Sequence, residues 1–271
     1  MRATTTQKEL EDVRKGFEIV ASFPRFAKLP IVLSEADPEG CAACSARTDP
    51  QNAYRNGPLY PAYTAVALKG ILDLAARHRT NIEGMLTWAF EFEGQPFFDG
   101  FRTLATNGID KPVLNMFRMA GLMRGGRVKT ESSGALGLDA ILQTGVQQKP
   151  DIDAMAARAD RSLTVLAWNY HDDDTPGPSA DVRLSVAGLP GEAKRVLLRH
   201  YRIDQDHSNA YTAWKAMGSP QQPTPAQYAR LEASGQLELL ESPRWLPNDG
   251  GKAEIGFTLP RQGVSLVELN W

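Results

Sequence analysis

Glu35 closes a short apolar run, Leu29-Pro30-Ile31-Val32-Leu33-Ser34, and a carboxylate in that position can do chemistry. A parallel α/β barrel carries its reactive side chains at the carboxyl ends of its strands. A carboxylate there acts as a nucleophile when hydrogen bonds and nearby positive charge keep it ionised. Strand-end glutamates are also common as solvated loop residues, so position alone does not decide. A second stretch, Thr87-Trp88-Ala89-Phe90-Glu91-Phe92-Glu93, mixes aromatic and acidic side chains. Such a mixture suits a sugar, because an indole face covers C–H-rich ring surface while carboxylates accept hydroxyl hydrogens. Trp88 and Phe90 would equally serve as core-facing strand residues.

Other chemical groupings lead less far. Cys41 and Cys44 form the only C-x-x-C; two thiols cannot complete a zinc site, and no thioredoxin-like pattern surrounds them. A structural pair is the expectation. His171-Asp172-Asp173-Asp174 invites a metal reading, but consecutive residues point in different directions and one His is too few for a transition-metal site. Asp clusters between strands favour turns, so no metal is expected there. His200 and His207 are read as packing or interface residues.

These groups must be carried by a folded frame, and composition permits one. The chain has 271 residues, 42% of them hydrophobic, enough for one large domain or two ordinary ones. Acidic and basic residues are interspersed to a net charge of −2, and no Lys/Arg stripe suggests a nucleic-acid partner. No run approaches the roughly 20 apolar residues needed to cross a bilayer. Met1 leads directly into a polar helical pattern without a signal-peptide apolar region, which implies a cytoplasmic protein if Met1 is the true start.

Thr6 and Glu9 have capping-box spacing, and Leu10, Val13, Phe17 and Val20 recur at helical intervals up to Pro24. The Leu29–Ser34 run then reads as a strand buried on both faces of a parallel sheet. A polar loop leads to a second helix, Pro61 to His78, a second strand, Ile82 to Phe90, and a third helix from about Pro112. This is the order of an α/β fold, yet two parallel strands close no sheet. Beyond Arg124-Gly125-Gly126-Arg127 the pattern changes to short β-rich runs between turns: Leu163–Tyr170, Val182–Val186, Arg195–Ile203, Leu237–Leu240, Ala253–Leu259 and Gly263–Leu269. That spacing predicts an antiparallel sandwich, interrupted by one helix that Thr224-Pro225-Ala226-Gln227 would cap.

Ile31-Val32-Leu33-Ser34-Glu35 resembles the seventh barrel strand of glycoside hydrolase family 39, and Met85-Leu86-Thr87-Trp88-Ala89-Phe90 resembles its eighth. Trp168-Asn169-Tyr170-His171-Asp172-Asp173-Asp174, His200-Tyr201-Arg202-Ile203-Asp204, His207-Ser208-Asn209-Ala210-Tyr211 and Trp214-Lys215-Ala216-Met217-Gly218 are similar to segments of the family's second half. The family contains chiefly β-xylosidases, with some α-iduronidases. The resemblance implies that Glu35 is the catalytic nucleophile, that Trp88 lines the sugar subsite, and that Glu91 and Glu93 are candidates for binding sugar hydroxyls, although their spacing departs from the family's double-glutamate pattern. It implies an incomplete (β/α)8 TIM barrel over residues 1–124, reduced to its last two βα units, and a β-sandwich accessory domain over residues 125–271. The expected substrate is a xylo-oligosaccharide or another β-xyloside, and the implied mechanism needs no metal or organic cofactor, because two carboxylates and substrate distortion lower the barrier.

In the family the acid/base glutamate stands in an Asn-Glu-Pro motif at the end of the fourth strand. No Asn-Glu-Pro occurs in these 271 residues, and one helix stands where six strands are expected. The expectation is therefore a glycosidase fragment whose partner is a missing upstream barrel half or a second copy of the chain. The rival is a non-catalytic carbohydrate-binding or interaction module, which would bind xylan without cleaving it.

Overall fold

The computed structural model describes residues 6–271. Helix α1 (Thr6–Ala21) buries Leu10, Val13 and Phe17, the helical stripe expected of it. The Thr6 hydroxyl does not close a box with Glu9. It donates to Asp172 at 3.0 Å and so ties the first helix to the second half of the chain. Strand β1 (Pro30–Leu33) follows, then a 3₁₀ helix at Pro50–Asn56, α2 (Leu59–His78) and β2 (Asn81–Met85). The strands pair in parallel across α2, a βαβ unit.

Two expectations need correction here. β1 is not buried on both faces: Ile31 and Leu33 pack inward, but Val32 is 52% exposed, because among the described residues neither a third strand nor another layer covers that side. The second strand ends at Met85 instead of Phe90. Leu86 continues the ladder with bonds to Leu33 and Ala36, after which Asp37 captures the Trp88 amide and Ala89 turns into the left-handed region at φ 59°.

A small hairpin of β3 (Ala105–Thr106) and β4 (Ile109–Asp110) precedes α3 (Pro112–Leu122), which starts at the proline as the sequence predicts. Then β5 (Gly126–Val128), α4 (Leu138–Thr144), β6 (Asp151–Ala159), β7 (Ser162–Tyr170), β8 (Ala180–Ala187) and β9 (Arg195–Ile203) open the second half. Helices α5 (Ala210–Ala216) and α6 (Pro225–Ser234) come next, and β10 (Glu238–Leu239), β11 (Arg244–Pro247), β12 (Lys252–Leu259) and β13 (Val264–Asn270) complete it. The large sheet runs β10-β9-β13-β7-β6-β5 with β11 also on β9, and its pairs are antiparallel. β8 and β12 pair separately.

Side-chain alternation divides the interior into two cores. Leu166, Trp168 and Tyr170 of β7, with Val264 and Leu266 of β13, face the helices and join one cluster with Leu10, Tyr63, Leu74 and Met116. Leu163 and Val165 of β7, with Val267 and Leu269, face the other way and pack against Val186 and Ile255 of the β8–β12 pair. The fold is thus mixed α/β around a large antiparallel sheet, with no closed barrel among the described residues. Nor is any helix among them long and apolar enough to cross a membrane.

His200 is a packing residue of the second core. It is 1% exposed, bonds Ser265 at 2.9 Å and meets the Phe257 ring edge-on. Burial, reinforced by Arg202 and Arg244, pushes its pKa down to about 4. Of the Asp172–Asp174 run, Asp172 is buried and accepts from Thr6, Val146 and Tyr170, while Asp173 closes a turn on Thr175. Among the described residues no group of three His, Cys, Asp or Glu is arranged to hold a metal.

Candidate active site

Glu35 lies two residues past β1, on the loop that leaves the parallel pair. Its side chain is 44% exposed, and its Oε2 accepts from Arg102 Nη2 at 2.8 Å. Arg102 is itself only 2% exposed, and its position is set from several sides. Its Nη1 donates to the Glu39 carbonyl, its Nε lies 3.4 Å from Asp37 Oδ2, and its backbone amide bonds the Ala42 carbonyl at 3.0 Å. A guanidinium so enclosed holds a carboxylate at one angle, because the planar fork fixes where its N–H groups point.

Asp37 is the hub beneath. Tyr60 of α2 donates to its Oδ1 at 2.6 Å, Thr87 donates to the same oxygen, and the Trp88 amide reaches Oδ2 at 3.3 Å. Burial and the Asp37 charge raise the Tyr60 pKa well above its ordinary value, so the phenol stays a donor. With every neighbour donating to it, Asp37 acts as an acceptor that links α2 to the loops after β1 and β2. Trp88, 50% exposed, is held by this network at the end of the neighbouring strand.

The remaining predicted residues are placed differently. Glu91 turns to the β3–β4 hairpin, where both carboxylate oxygens accept from the Gly108 amide at 3.1 Å. Glu93 sits on the exposed part of the same loop. Cys41 and Cys44 are joined in a disulfide within the loop that grips Arg102.

The sequence reading did not single out Asp37, Tyr60 or Arg102, and named Thr87 only as the first residue of the Thr87–Glu93 stretch. Asp37 had a signal, since it stands two residues after Glu35; Arg102, 67 positions away, had none. Two more ionisable groups, half-buried Glu9 and buried Lys111, have shifted pKa values. Burial pushes Glu9 up to about 7, helped by the charges of Asp37 and Asp12 and opposed by Arg102. Burial, with Arg55 adding repulsion, pushes Lys111 down to about 7.

A half-exposed carboxylate, oriented by a buried guanidinium at the carboxyl end of a parallel strand, is a frame for nucleophilic attack. Comparison with known proteins agrees in class. The family model described as "Glycosyl hydrolases family 39" matches residues 1–253, and the chain belongs to that family. It is 22% identical over 269 residues to a β-xylosidase of Geobacillus stearothermophilus, covering 96% of this chain and 45% of that one. It is 33% identical over 164 residues to the α-L-iduronidase of Mus musculus, covering 59% of this chain and 25% of that one. Among solved structures it matches the family-39 enzyme of Xanthomonas axonopodis pv. citri with a TM-score of 0.72 at 17% identity, over 97% of this chain and 48% of that one. The chain thus spans a quarter to about half the length of these relatives.

Proposed function

We propose that this chain carries the nucleophile-bearing part of a retaining glycoside hydrolase that releases terminal β-D-xylose from xylo-oligosaccharides. The observation that supports this reading best is the Glu35–Arg102 pair just past the end of β1, beside the strand β2 whose following loop carries Trp88. On this reading β1–α2 and β2–α3 are the last two units of a (β/α)8 barrel, and residues 125–271 form the sandwich beside it. Glu35 attacks the anomeric carbon as the glycosidic C–O bond breaks, giving a covalent glycosyl-enzyme with inversion. Water then displaces Glu35 with a second inversion, so configuration is retained. Trp88 shapes the sugar subsite, and Glu93 is the freer of the two acidic candidates for hydroxyl binding.

The leaving oxygen needs a proton from a second carboxyl group roughly 5–5.5 Å from the first. The Asn-Glu-Pro that would carry it is absent from these 271 residues, and Asp37 is occupied as an acceptor. General acid catalysis is worth about 10²–10⁴-fold, so the isolated chain is expected to turn over an aryl β-xyloside negligibly. Attack by the nucleophile can still be read with a 2-fluoro xyloside bearing a dinitrophenyl group, which departs unprotonated. Mass spectrometry should find a slow adduct on the peptide containing Glu35, and none in Glu35→Gln. Equal labelling of both proteins sinks the proposal, and so does robust turnover of an aryl β-xyloside by the isolated chain.

One observation favours a second reading, an acidic sugar such as an iduronide. The stretch matched to the Mus musculus α-L-iduronidase is 33% identical over 164 residues, against 22% over 269 residues for the Geobacillus β-xylosidase. Faster labelling by the corresponding iduronide than by the xyloside would select it.

A further inference from the structure

Residues 35–49 belong to no helix or strand, yet they supply two of the acceptors that fix Arg102. The Glu39 carbonyl accepts from Arg102 Nη1, and the Ala42 carbonyl accepts from the Arg102 amide at 3.0 Å. Ala42 lies inside the Cys41–Cys44 disulfide, whose partners are three positions apart. One end of that bridge is anchored. The Cys44 carbonyl accepts from Asn52 Nδ2 at 3.0 Å and from Arg55 Nη1 at 3.2 Å, and both donors belong to buried residues of the 3₁₀ helix. Cys41, at the other end, is exposed. The disulfide therefore ties the outer part of the loop to its anchored part, and carries Ala42 with it.

A bridge that closes so short a loop restricts few conformations of the unfolded chain, so it adds little to global stability. What it fixes is position. We infer that the Cys41–Cys44 disulfide is a redox-sensitive clamp on the nucleophile: closed, it orients Glu35 through Arg102, and opened by a dithiol it releases them. The inference rests on the glycosidase reading for what Glu35 does, and on the contacts alone for the clamp. On opening, two electrons and two protons pass from the dithiol to Cys41 and Cys44, which become thiols, while the reductant closes into a cyclic disulfide. A small dithiol can reach the bond, because a cleft of about 440 Å³ lined by Glu39, Gly40, Arg55 and both cysteines opens on it. Exposed disulfides are also the labile ones. Two holds on Arg102 survive reduction. Asp37 still faces its Nε, and Lys111 Nζ still donates to the Phe101 carbonyl at 2.7 Å. The guanidinium is thus loosened instead of lost.

The test compares the 271-residue chain as purified, after dithiothreitol, and after reoxidation. Reduction is expected to speed exchange of the Arg102 amide by more than about tenfold, as a local opening does, and to leave β7 and β13 unchanged. The maximal rate at which the 2-fluoro xyloside labels Glu35 should fall about 10–100-fold, the cost of misplacing a reacting group by roughly 1 Å. Reoxidation should restore both, and the double variant Cys41→Ser with Cys44→Ser should behave as the reduced chain with or without the reagent. Arg102 exchange indifferent to reduction overturns the inference, and so does labelling that persists unchanged once the amide is freed. A reduced chain whose large sheet melts along with the loop also overturns it, since the bridge would then be a general staple. If the oxidised chain takes no label while reduction still frees the Arg102 amide, the reaction reading fails and the clamp stands.

Discussion

A guanidinium withdrawn from water must recover its hydration from its neighbours, and Arg102 does so from Glu35, Asp37 and the Glu39 carbonyl. Removing one partner of a buried ion pair leaves the other uncompensated, at about 3–5 kcal/mol. Asp37→Ala is therefore expected to lower stability by about that amount, because it also strands Tyr60 and Thr87. Glu35→Ala, at a half-exposed site, should shift the urea midpoint far less. Midpoints of the two variants that coincide would contradict the hub role of Asp37. Glu9 and Lys111 give opposite pH signatures. The folded pKa of Glu9 is raised from 4.5 to about 7, so the folded state binds the extra proton and stability falls as pH rises between those values. Lys111 is lowered from 10.5 to about 7, so the unfolded state binds the extra proton and stability rises with pH across that window. Glu9→Gln should flatten the first slope and Lys111→Met the second in denaturation series run from pH 4.5 to 10. At this scale the position of Glu35 just past a strand was legible from the apolar run before it. Arg102 was not, because what makes it matter is a contact 67 residues away.

Elements were legible where one periodicity dominates. Strand β9 falls on the expected residues, Arg195–Ile203, and the helix at Thr224 has the cap its sequence announces: Gln227 donates its amide to the Thr224 side chain and reaches back to the Thr224 amide. Thr224→Ala should lower stability by about 1 kcal/mol, and a thermal scan showing no change would contradict the cap's contribution. Strand β6 was missed because Asp-Ile-Asp-Ala-Met-Ala-Ala-Arg-Ala is rich in alanine, a helix former; only its pairing between β5 and β7 makes it a strand. The junction Arg124-Gly125-Gly126-Arg127 was visible as a change of composition, but its two glycines differ. Gly125 has φ 88°, and a Cβ there would meet the Arg158 carbonyl oxygen at 2.0 Å, whereas a Cβ on Gly126 meets nothing within 4 Å. Gly125→Ala is expected to cost about 2–4 kcal/mol from left-handed strain and backbone overlap. Gly126→Ala should be neutral or slightly stabilising. Equal melting temperatures for the two variants would refute this account of the junction.

At the scale of the whole molecule, a division near residue 124 follows from composition, while the packing crosses it. Tyr63 of α2 meets Tyr170 of β7 edge-on at 6.4 Å, and Thr6 of α1 donates to Asp172 at the end of that strand. Asn115 of α3 donates to the carbonyls of Ser208 and Gly235. Leu166, fully buried, belongs to the cluster that holds the helices of the first half. A sequence shows where a pattern changes but not which faces meet afterwards, so this shared core could not be read in advance. Two regions that bury their apolar faces against each other unfold together, because neither retains its core alone. Heat is thus expected to melt the chain in one transition, with calorimetric and van't Hoff enthalpies equal. Leu166→Ala opens a cavity worth about 2–5 kcal/mol, and that loss should appear equally in a fluorescence probe at Trp88 and in the far-ultraviolet signal of the large sheet. Two separated transitions, with only the later one moved by Leu166→Ala, would mean that residues 125–271 fold as an independent body on which the βα units merely rest.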